Sequence, residues 1–353
     1  STTHQTAGYG APALQPEAGE TPALRGWFEK SDHMNEELPM PRRQQSVTVI
    51  VIVALLAAAG LLYNYVRVGR AVSGQADRAV VTQTQGFERL RQVDPALVKW
   101  REVREIQLGT SGAKSFDVDP KGNLYVVDGT TLRTWSLQKP DQAPSVVPLQ
   151  ADLVNFSGEL WLATEASMRD GAGSVVTDVE RQGKEQWVAD AGKRVVKHIA
   201  ADGSVTLIGK GQLILPSPHL ELALKPDGNL IVNNPGRLRV ETYSPQGKLL
   251  GQFGRPGVDI EGFSGCCNPI DVAVLPDGRI VTAEKGLPRV KVYSADGKLD
   301  SVVATPADLS RQAVPQITVT RQGEILVLDA RAGVVKVFVP KSEPDRDVGG
   351  TSD

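Results

Sequence analysis

The chain has 353 residues and a formal net charge of −2, with 41% hydrophobic and 23% charged residues. This balance is ordinary for a globular protein, and without a basic excess it excludes an electrostatic nucleic-acid binder. With 35 glycines, 23 prolines and few helix-favouring runs, the C-terminal two thirds of the chain is predicted to form short strands joined by turns.

Residues 1–43 are predicted to form a flexible cytoplasmic tail. Gly, Pro, Thr, Gln and Glu are scattered through this segment without hydrophobic periodicity, which is typical of a chain that buries no core. Within the tail, residues 24–38 (LRGWFEKSDHMNEEL) favour a solvated linker, with an amphipathic docking peptide as the alternative. Residues 341–353 are also polar and are predicted to form a second flexible tail.

The uncharged run at residues 44–66 (QQSVTVIVIVALLAAAGLLYNYV) predicts a membrane-spanning helix. At about 1.5 Å per residue, a helix of this length covers the roughly 30 Å hydrocarbon layer of a bilayer. The run is apolar on every face, unlike most core helices, and the polar segment before it is too long for a cleaved signal peptide. We therefore expect a single membrane span.

The orientation of this span is predicted from architecture, because the basic residues on its two sides nearly balance. They are Lys30, Arg42 and Arg43 before the span, and Arg67, Arg70 and Arg78 after it. A single internal span followed by a large domain usually acts as an uncleaved signal anchor that exports the domain. We expect the N-terminus in the cytoplasm and the C-terminal domain on the periplasmic side of a bacterial inner membrane.

Residues 67–100 are predicted to form a helical stalk or a strap on the following domain. Apolar residues recur there at helical spacing, interrupted near Pro95, at Val81, Phe87, Leu90, Val93, Leu97 and Val98. This segment would connect the span to the exported domain.

From residue 101 to residue 340 the chain repeats a unit of two apolar strands joined by a glycine turn. The six copies read FDVDPKGNLYVVD, ADLVNFSGELWLATE, VVTDVERQGKEQWVAD, LELALKPDGNLIVNN, IDVAVLPDGRIVTAE and ITVTRQGEILVLD. Four copies continue into a third strand, and four antiparallel strands per unit of about 40 to 50 residues are typical of a β-propeller blade.

This pattern predicts an all-β, six-bladed β-propeller, or a five-bladed one if the short copy around Gly158 is degenerate. The last copy stops after its third strand, so its blade needs a fourth strand from elsewhere. Residues 101–109 (REVREIQLG) precede the first copy and are predicted to supply that strand, which closes the ring and removes its exposed edges.

The blades resemble NHL repeats, which form six-bladed propellers. The resemblance is strongest over residues 268–299, NPIDVAVLPDGRIVTAEKGLPRVKVYSADGKL, with a proline-led first strand, a D-G turn and an arginine-led third strand. The turn EKGLPR has Glu284 and Arg289 in the matching places but lacks the usual asparagine. With FSGCCNP, the segment looks like a group of membrane-anchored bacterial NHL-repeat proteins of unassigned activity, which implies a fold rather than a function.

An acidic or amide residue ends the second strand of each copy, and these ends would share one face of a propeller. The residues are Asp128, Glu165, Asp190, Asn234, Glu284 and Asp329. One interpretation is a carboxylate ring that binds a divalent cation, since hard ions prefer oxygen ligands. The favoured interpretation is that each residue caps its own hairpin, with Arg237, Arg239 and Arg289 as counter-ions.

The chain has two cysteines, Cys266 and Cys267, and they are adjacent in FSGCCNP. Adjacent Cα atoms are about 3.8 Å apart, closer than in most disulfides, so a vicinal disulfide would be strained, although an oxidising compartment would permit it. Two free thiols beneath the loop are the alternative. A zinc site is the least supported interpretation, because zinc prefers four ligands at wider spacing.

No catalytic motif or cofactor motif is present in the sequence. We therefore predict a non-catalytic, membrane-anchored propeller that binds a protein partner, as an accessory subunit of a redox or transport complex. Its contact residues would be Phe263, Cys266, Cys267, Asn268, Glu284, Lys285 and Arg289. The alternative is a ligand sensor, or a metal-dependent enzyme like the lactonases and lyases, that uses the central channel.

Overall fold

Short apolar strands and glycine turns fold this chain into antiparallel hairpins. In IDVAVLPDGRIV, Gly278 has φ +86° and donates its N–H to the Leu275 carbonyl at 2.8 Å, so the D-G turn closes at a residue that tolerates positive φ. The computed structural model describes residues 58–59 and 90–341. The hairpins belong to the compact unit Gln75–Asp353.

The described residues contain 22 strands and two short 3-10 turns, Pro95–Leu97 and Pro235–Arg237. The strands are β1 (Trp100–Gln107), β2 (Ser115–Val118), β3 (Asn123–Val127), β4 (Thr131–Ser136), β5 (Ser145–Pro148), β6 (Leu153–Phe156), β7 (Leu160–Ala163), β8 (Val176–Gln182), β9 (Glu185–Asp190), β10 (Val195–Ile199), β11 (Val205–Ile208), β12 (Leu222–Leu224), β13 (Leu230–Asn234), β14 (Arg239–Tyr243), β15 (Leu249–Phe253), β16 (Asp271–Val274), β17 (Ile280–Glu284), β18 (Arg289–Tyr293), β19 (Leu299–Ala304), β20 (Gln316–Val319), β21 (Ile325–Asp329) and β22 (Val334–Pro340).

These strands form a β-propeller with five four-stranded blades. Blade 1 contains β2–β5, blade 3 β8–β11, blade 4 β12–β15 and blade 5 β16–β19, while blade 6 contains β20–β22 and β1. Between blades 1 and 3 lies a two-stranded sheet, β6–β7, which we call blade 2. The innermost strands β2, β6, β8, β12, β16 and β20 each pack against the next around a closed ring. The six sequence copies are therefore five complete blades and one hairpin.

The N-terminal strand closes the propeller. Strand β1 pairs antiparallel with β22, from Trp100 opposite Pro340 to Gln107 opposite Val334. This confirms the predicted clasp, which starts one residue earlier than the predicted residue 101. Trp100 is buried, and its indole Nε1 donates to Ser301 Oγ of blade 5 at 3.1 Å, so the clasp is also fixed to the neighbouring blade.

The apolar core lies between neighbouring blades rather than in one central mass. Separate clusters join blades 5 and 6, 6 and 1, 3 and 4, 4 and 5, and 1 and 2. Blades 2 and 3 meet instead through the Arg181 guanidinium, which lies over the Trp161 ring at 5.9 Å. Each fully buried aliphatic side chain in such a cluster contributes about 1.5–3 kcal/mol, so the face-to-face packing of the blades stabilises the ring.

The helical prediction for residues 67–100 is corrected where the structure describes them. Leu90 and Arg91 are helical, but Pro95–Leu97 is a 3-10 turn and Trp100 begins a strand. Proline cannot donate a main-chain hydrogen bond, which ends helical structure near Pro95. Val98 then forms a parallel bridge with Val302, so this segment covers the outer edge of β19.

The predicted membrane span lies outside the described residues, apart from Ala58 and Ala59, which are helical. Both predicted tails, 1–43 and 341–353, also lie outside them, except for Lys341. Within residues 58–59 and 90–341, no helix is both long and apolar enough to cross a bilayer.

Candidate ligand-binding channel

A polar residue from each blade faces the axis of the propeller, where the innermost strands surround a channel of about 640 Å³. Apolar residues flank it on both sides in most of these strands, as in FDV, IDV and LEL, because alternate side chains of a strand point to opposite sides. The six residues are Asp117, Asn155, Asp178, Glu221, Asp271 and Thr318.

Three of these side chains, Asp117, Asp178 and Asp271, join neighbouring blades. In each, one oxygen accepts the N–H of the following residue and the other accepts an N–H from the innermost strand of the next blade. Asp117 accepts from Val118 at 2.8 Å and Phe156 at 2.7 Å. Asp178 accepts from Val179 at 2.7 Å and Leu222 at 2.9 Å. Asp271 accepts from Val272 at 2.7 Å and Ile317 at 2.7 Å. These carboxylates therefore stabilise the ring.

Two further acids in the channel are not used in this way. Glu180 Oε2 accepts a hydrogen bond from Ser157 Oγ at 3.0 Å, while its second oxygen has no protein partner within the described range. The Glu221 carboxyl makes no hydrogen bond or ion pair to any residue that the structure describes. Its main chain is fixed, because the Glu221 N–H donates to Asn233 Oδ1 at 2.8 Å. Glu221 is thus a positioned acid with free acceptor oxygens.

Loss of contact with water raises the pKa of all the inner carboxyls. The pKa of Asp117 is raised, that of Asp178 rises to about 7, and those of Glu180, Glu221 and Asp271 lie well above their usual range. The carboxyls touch channel space, so they are partly accessible, but protein atoms surround them on the other sides. Repulsion from Asp178 adds to the increase at Glu180, Glu221 and Asp271. Burial therefore disfavours the charged form of each of these carboxyls.

His219 lies in the channel wall two residues before Glu221. Burial, and secondly the nearby Lys285 ammonium, lowers the pKa of His219 to about 4, so the imidazole is neutral at physiological pH. The ring makes no hydrogen bond to another described residue. A neutral imidazole has one donor and one acceptor nitrogen, so His219 adds polar capacity without positive charge.

The channel carries an excess of acidic residues. Among the described residues, seven acids line it, namely Asp117, Asp152, Glu165, Asp178, Glu180, Glu221 and Asp271, against the two bases Lys114 and Arg169. Both bases are already paired, Lys114 with Asp152 at 2.5 Å and Arg169 with Glu165 at 3.2 Å. Ionisation of the unpaired acids would therefore give the channel a negative charge that favours a cation, because neither base is free to offset it.

The acids that end the second strands take other positions, consistent with hairpin capping. Asp128 accepts the N–H groups of Thr130 and Thr131 and pairs with Arg133, and these bonds lower its pKa although burial opposes the decrease. Asp190 likewise has its pKa lowered to about 2 against the effect of burial, chiefly by bonds from Lys197 and Ser174.

The remaining strand-end residues are bound locally as well. Asn234 accepts the Ile214 N–H at 3.0 Å, Asp329 accepts the Ser310 and Ala332 N–H groups, and the exposed Glu165 pairs with Arg169. No group of three or more His, Cys, Asp or Glu side chains in residues 58–59 and 90–341 has an arrangement suited to a metal ion. These strand-end residues, the weak metal candidates included, are thus engaged with the protein itself.

The predicted contact residues on the loop face are brought together, but most of them are buried. Phe263, Asn268, Glu284 and Arg289 are at most 2% exposed, which corrects the expectation that they form a docking surface. Glu284 pairs with Arg289 at 2.8 Å and with the fully buried Lys291 at 2.8 Å. Of the remaining predicted contact residues, Cys266 is exposed, Lys285 is half-buried and Cys267 is buried.

The buried charges hold the loop before blade 5. Arg289 donates to the Asp259 carbonyl at 3.0 Å, Lys291 donates to the Ile260 carbonyl at 3.0 Å, and both donate to the Gly262 carbonyl. The Lys291 ammonium also lies 4.4 Å from the centre of the Phe263 ring. Arg289, which was predicted to contact a partner, therefore acts with Lys291 to fix the conformation of residues 259–263.

The channel acids were not among the candidate residues predicted from the sequence. The predicted acids lie at the ends of second strands, whereas the channel acids lie within or just before first strands. The repeated motif of an acid followed by an apolar residue, in FDV, TDV, LEL and IDV, was a signal for them, and in three of the four an apolar residue also precedes the acid. A polar residue recurring where a strand is otherwise apolar indicates a side chain that faces a polar cavity.

Comparisons with known proteins find similarity at low sequence identity among solved structures. No protein-family model matches the chain, and no curated protein matches it. Among solved structures, a streptogramin B lyase shares 10% identity (TM-score 0.48; 70% of this chain, 100% of the other). A gluconolactonase from Xanthomonas campestris shares 17% identity, with a TM-score of 0.49 over 70% of this chain and 94% of the other. Regucalcin, a calcium-binding protein from Agrobacterium tumefaciens, shares 14% identity, with a TM-score of 0.46 over 65% of this chain and 90% of the other. The β-propeller assignment rests on the sheet topology, and the closer NHL resemblance remains a prediction.

Proposed function

We propose that this chain is a binding protein whose propeller channel takes a small organic cation, with Glu221 and Glu180 as the recognising carboxylates. The observation that carries the proposal is Glu221, whose main chain is fixed while its carboxyl faces the channel without a protein partner among the described residues. A polar group in that position gains a full hydrogen bond when a ligand supplies the donor.

An ammonium ligand fits this channel better than a bare metal ion. Hard divalent cations need about six oxygen ligands, but Asp117, Asp178 and Asp271 already use both oxygens to bind main-chain N–H groups. An ammonium or amidinium needs only one to three acceptors, which Glu180 and Glu221 supply. The channel volume of about 640 Å³ lies within the usual range for small-molecule sites.

A second candidate is an enzyme of the lactonase or lyase type that acts in the same channel. The neutral imidazole of His219, two residues from Glu221, favours it, because a neutral histidine can accept a proton from a bound substrate. Turnover of lactones or esters that is lost in His219→Phe would support this candidate. Binding of amines without any turnover of lactones or esters would instead support a binding role without catalysis.

We also propose the setting of the propeller. Residues 44–66 would anchor the chain in a bacterial inner membrane with the propeller in the periplasm, and the loop face would dock a protein of a membrane complex. Exposed Cys266 and half-buried Lys285 are the predicted contact residues that remain accessible there. A reporter that is active only outside the cytoplasm should work after Asp353 and fail before Ser1, and the reverse pattern would refute this topology.

The binding proposal is tested on the full-length chain in mild detergent. Isothermal calorimetry with 1,4-diaminobutane is compared with the neutral analogue 1,4-butanediol, and we expect only the diamine to bind. Glu221→Gln should weaken binding by ~10-fold or more, because a charge-assisted hydrogen bond contributes about 1.5–3 kcal/mol. The matched control is Glu105→Gln in the outermost strand β1, which should bind like the wild type. Equal binding of diol and diamine, or no effect of Glu221→Gln, would overturn the proposal.

A further inference from the structure

The two cysteines face each other at the tip of the loop before blade 5. Their Sγ atoms are 3.0 Å apart and both residues are free thiols. A disulfide bond is about 2.0 Å long, so bonding requires the sulfurs to approach by only about 1 Å. Cys266 is exposed, whereas Cys267 is 8% exposed, so the two thiols differ in their access to a reagent.

The loop holds the thiols in place from both sides. On the N-terminal side, the Ser264 N–H donates to the buried Glu284 carboxylate at 3.2 Å. On the C-terminal side, Asn268 Nδ2 donates to the Ser264 carbonyl at 2.6 Å and to the Lys285 carbonyl at 2.9 Å, while Asn268 Oδ1 accepts the Lys285 N–H at 2.9 Å. Ser264 and Asn268 are therefore fixed, and the two cysteines lie between them.

We propose that Cys266 and Cys267 form a thiol–disulfide exchange site for low-molecular-weight disulfides, with Cys266 as the attacking thiol and Cys267 as the resolving thiol. The difference in exposure assigns these roles, because a disulfide reagent in solvent reaches Cys266 first. The contact between the sulfurs then places Cys267 against the mixed disulfide that forms on Cys266.

The reaction has two balanced steps. The Cys266 thiolate attacks one sulfur of the reagent R–S–S–R, the reagent's S–S bond breaks, and the leaving thiolate takes up the proton lost by Cys266. The Cys267 thiolate then attacks Cys266 Sγ, the bond to the reagent breaks, and a second R–SH leaves with the proton of Cys267. The protein loses two electrons and two protons to form the vicinal disulfide, and the reagent is reduced to two thiols.

The product is expected to reopen easily. Adjacent Cα atoms lie about 3.8 Å apart, below the usual separation for a disulfide, so the ring formed by two neighbouring cysteines is strained. Strained disulfides are reduced more readily than structural ones. The pair is thus suited to reversible exchange rather than to holding the fold, which the packing between blades already does.

The test uses the full-length reduced protein in detergent, treated with oxidised glutathione and analysed by intact mass. The wild type should lose two hydrogen atoms without a lasting glutathione adduct, and dithiothreitol should reverse the change. Cys267→Ser should retain one glutathione on Cys266, because no resolving thiol remains. Cys266→Ser should form an adduct at least ~10-fold more slowly, because Cys267 is buried.

Two outcomes would overturn the proposal. One is a wild type that keeps glutathione adducts or does not react, and the other is a Cys266→Ser variant that reacts as fast as Cys267→Ser. If a serine variant fails to fold, as judged by its melting curve, peptide mapping of the reduced wild type with limiting iodoacetamide replaces it. Alkylation of Cys266 before Cys267 supports the assigned roles, and the opposite order refutes them.

Discussion

Asp178 of blade 3 accepts a hydrogen bond from the Leu222 N–H of blade 4 at 2.9 Å, and so joins two sheets that share no strand. The same arrangement recurs from Asp117 to Phe156 and from Asp271 to Ile317. Each such aspartate both lines the channel and links two blades. The side chains that stabilise the ring therefore lie beside those that line the channel as free acceptors.

Removal of one link should destabilise the propeller. Asp178→Ala leaves the Val179 and Leu222 N–H groups without this acceptor, and an unsatisfied buried donor costs about 1–3 kcal/mol. We expect a lower denaturation midpoint in urea, with Asp178→Asn closer to wild type because its amide keeps one acceptor oxygen. Asp296→Ala, in an exposed turn of blade 5, is the control. A wild-type midpoint for Asp178→Ala would show that the links contribute little.

The raised pKa of Asp178 predicts that stability falls between about pH 4 and pH 7. In the folded protein its pKa is about 7, above the unfolded value of about 3.9, so between these values the folded state binds more protons. Stability from this group is fully present below about pH 4 and decreases as the pH rises through 7. Urea denaturation at several pH values should show this slope, and Asp178→Asn should reduce it.

Asp128 and Asp190 give the opposite dependence at lower pH. Their pKa values are lowered in the folded protein, that of Asp190 to about 2, so the stability they contribute is present above about pH 4 and is lost as the pH falls. The two effects together predict a stability maximum on the acidic side of neutrality. A maximum at or above pH 7 would contradict the burial of the channel acids.

Loss of one partner from the buried ion pairs of blade 5 should destabilise the protein. Glu284→Gln leaves Arg289 and Lys291 without their carboxylate, and such a change in a buried ion pair typically costs about 3–5 kcal/mol. We expect faster hydrogen exchange at Gly262 and Ser264, whose main-chain groups bind this network. Glu261→Gln, in the same loop but exposed, serves as the control, and equal exchange in both variants would refute the role given to Glu284.

The architecture was predictable because strands and turns repeat locally, whereas exposure depends on contacts between distant residues. The clasp followed from a missing fourth strand, and blade 2 from the short copy around Gly158. The loop face was predicted as exposed because FSGCCNP and EKGLPR are connections that leave the blade on the same face of a propeller. The sequence does not reveal that Lys291 and Arg289 bind the carbonyls of residues 259–262, which draws Glu284 and Phe263 inside. The span at residues 44–66 stays a prediction.

The last prediction concerns the pH dependence of cation binding. Burial keeps the pKa of Glu221 well above its usual range, so this carboxyl must release a proton before it can form an ion pair with an ammonium. The affinity for 1,4-diaminobutane should therefore rise with pH until Glu221 is ionised, while the diamine itself stays protonated below about pH 9. Calorimetry in two buffers of different ionisation enthalpy should detect proton release on binding, and Glu221→Gln should reduce both the release and the pH dependence. His219→Phe should leave the proton release unchanged, because its imidazole is already neutral above about pH 4. Binding that is independent of pH, with no proton released, would mean that the ligand does not contact Glu221.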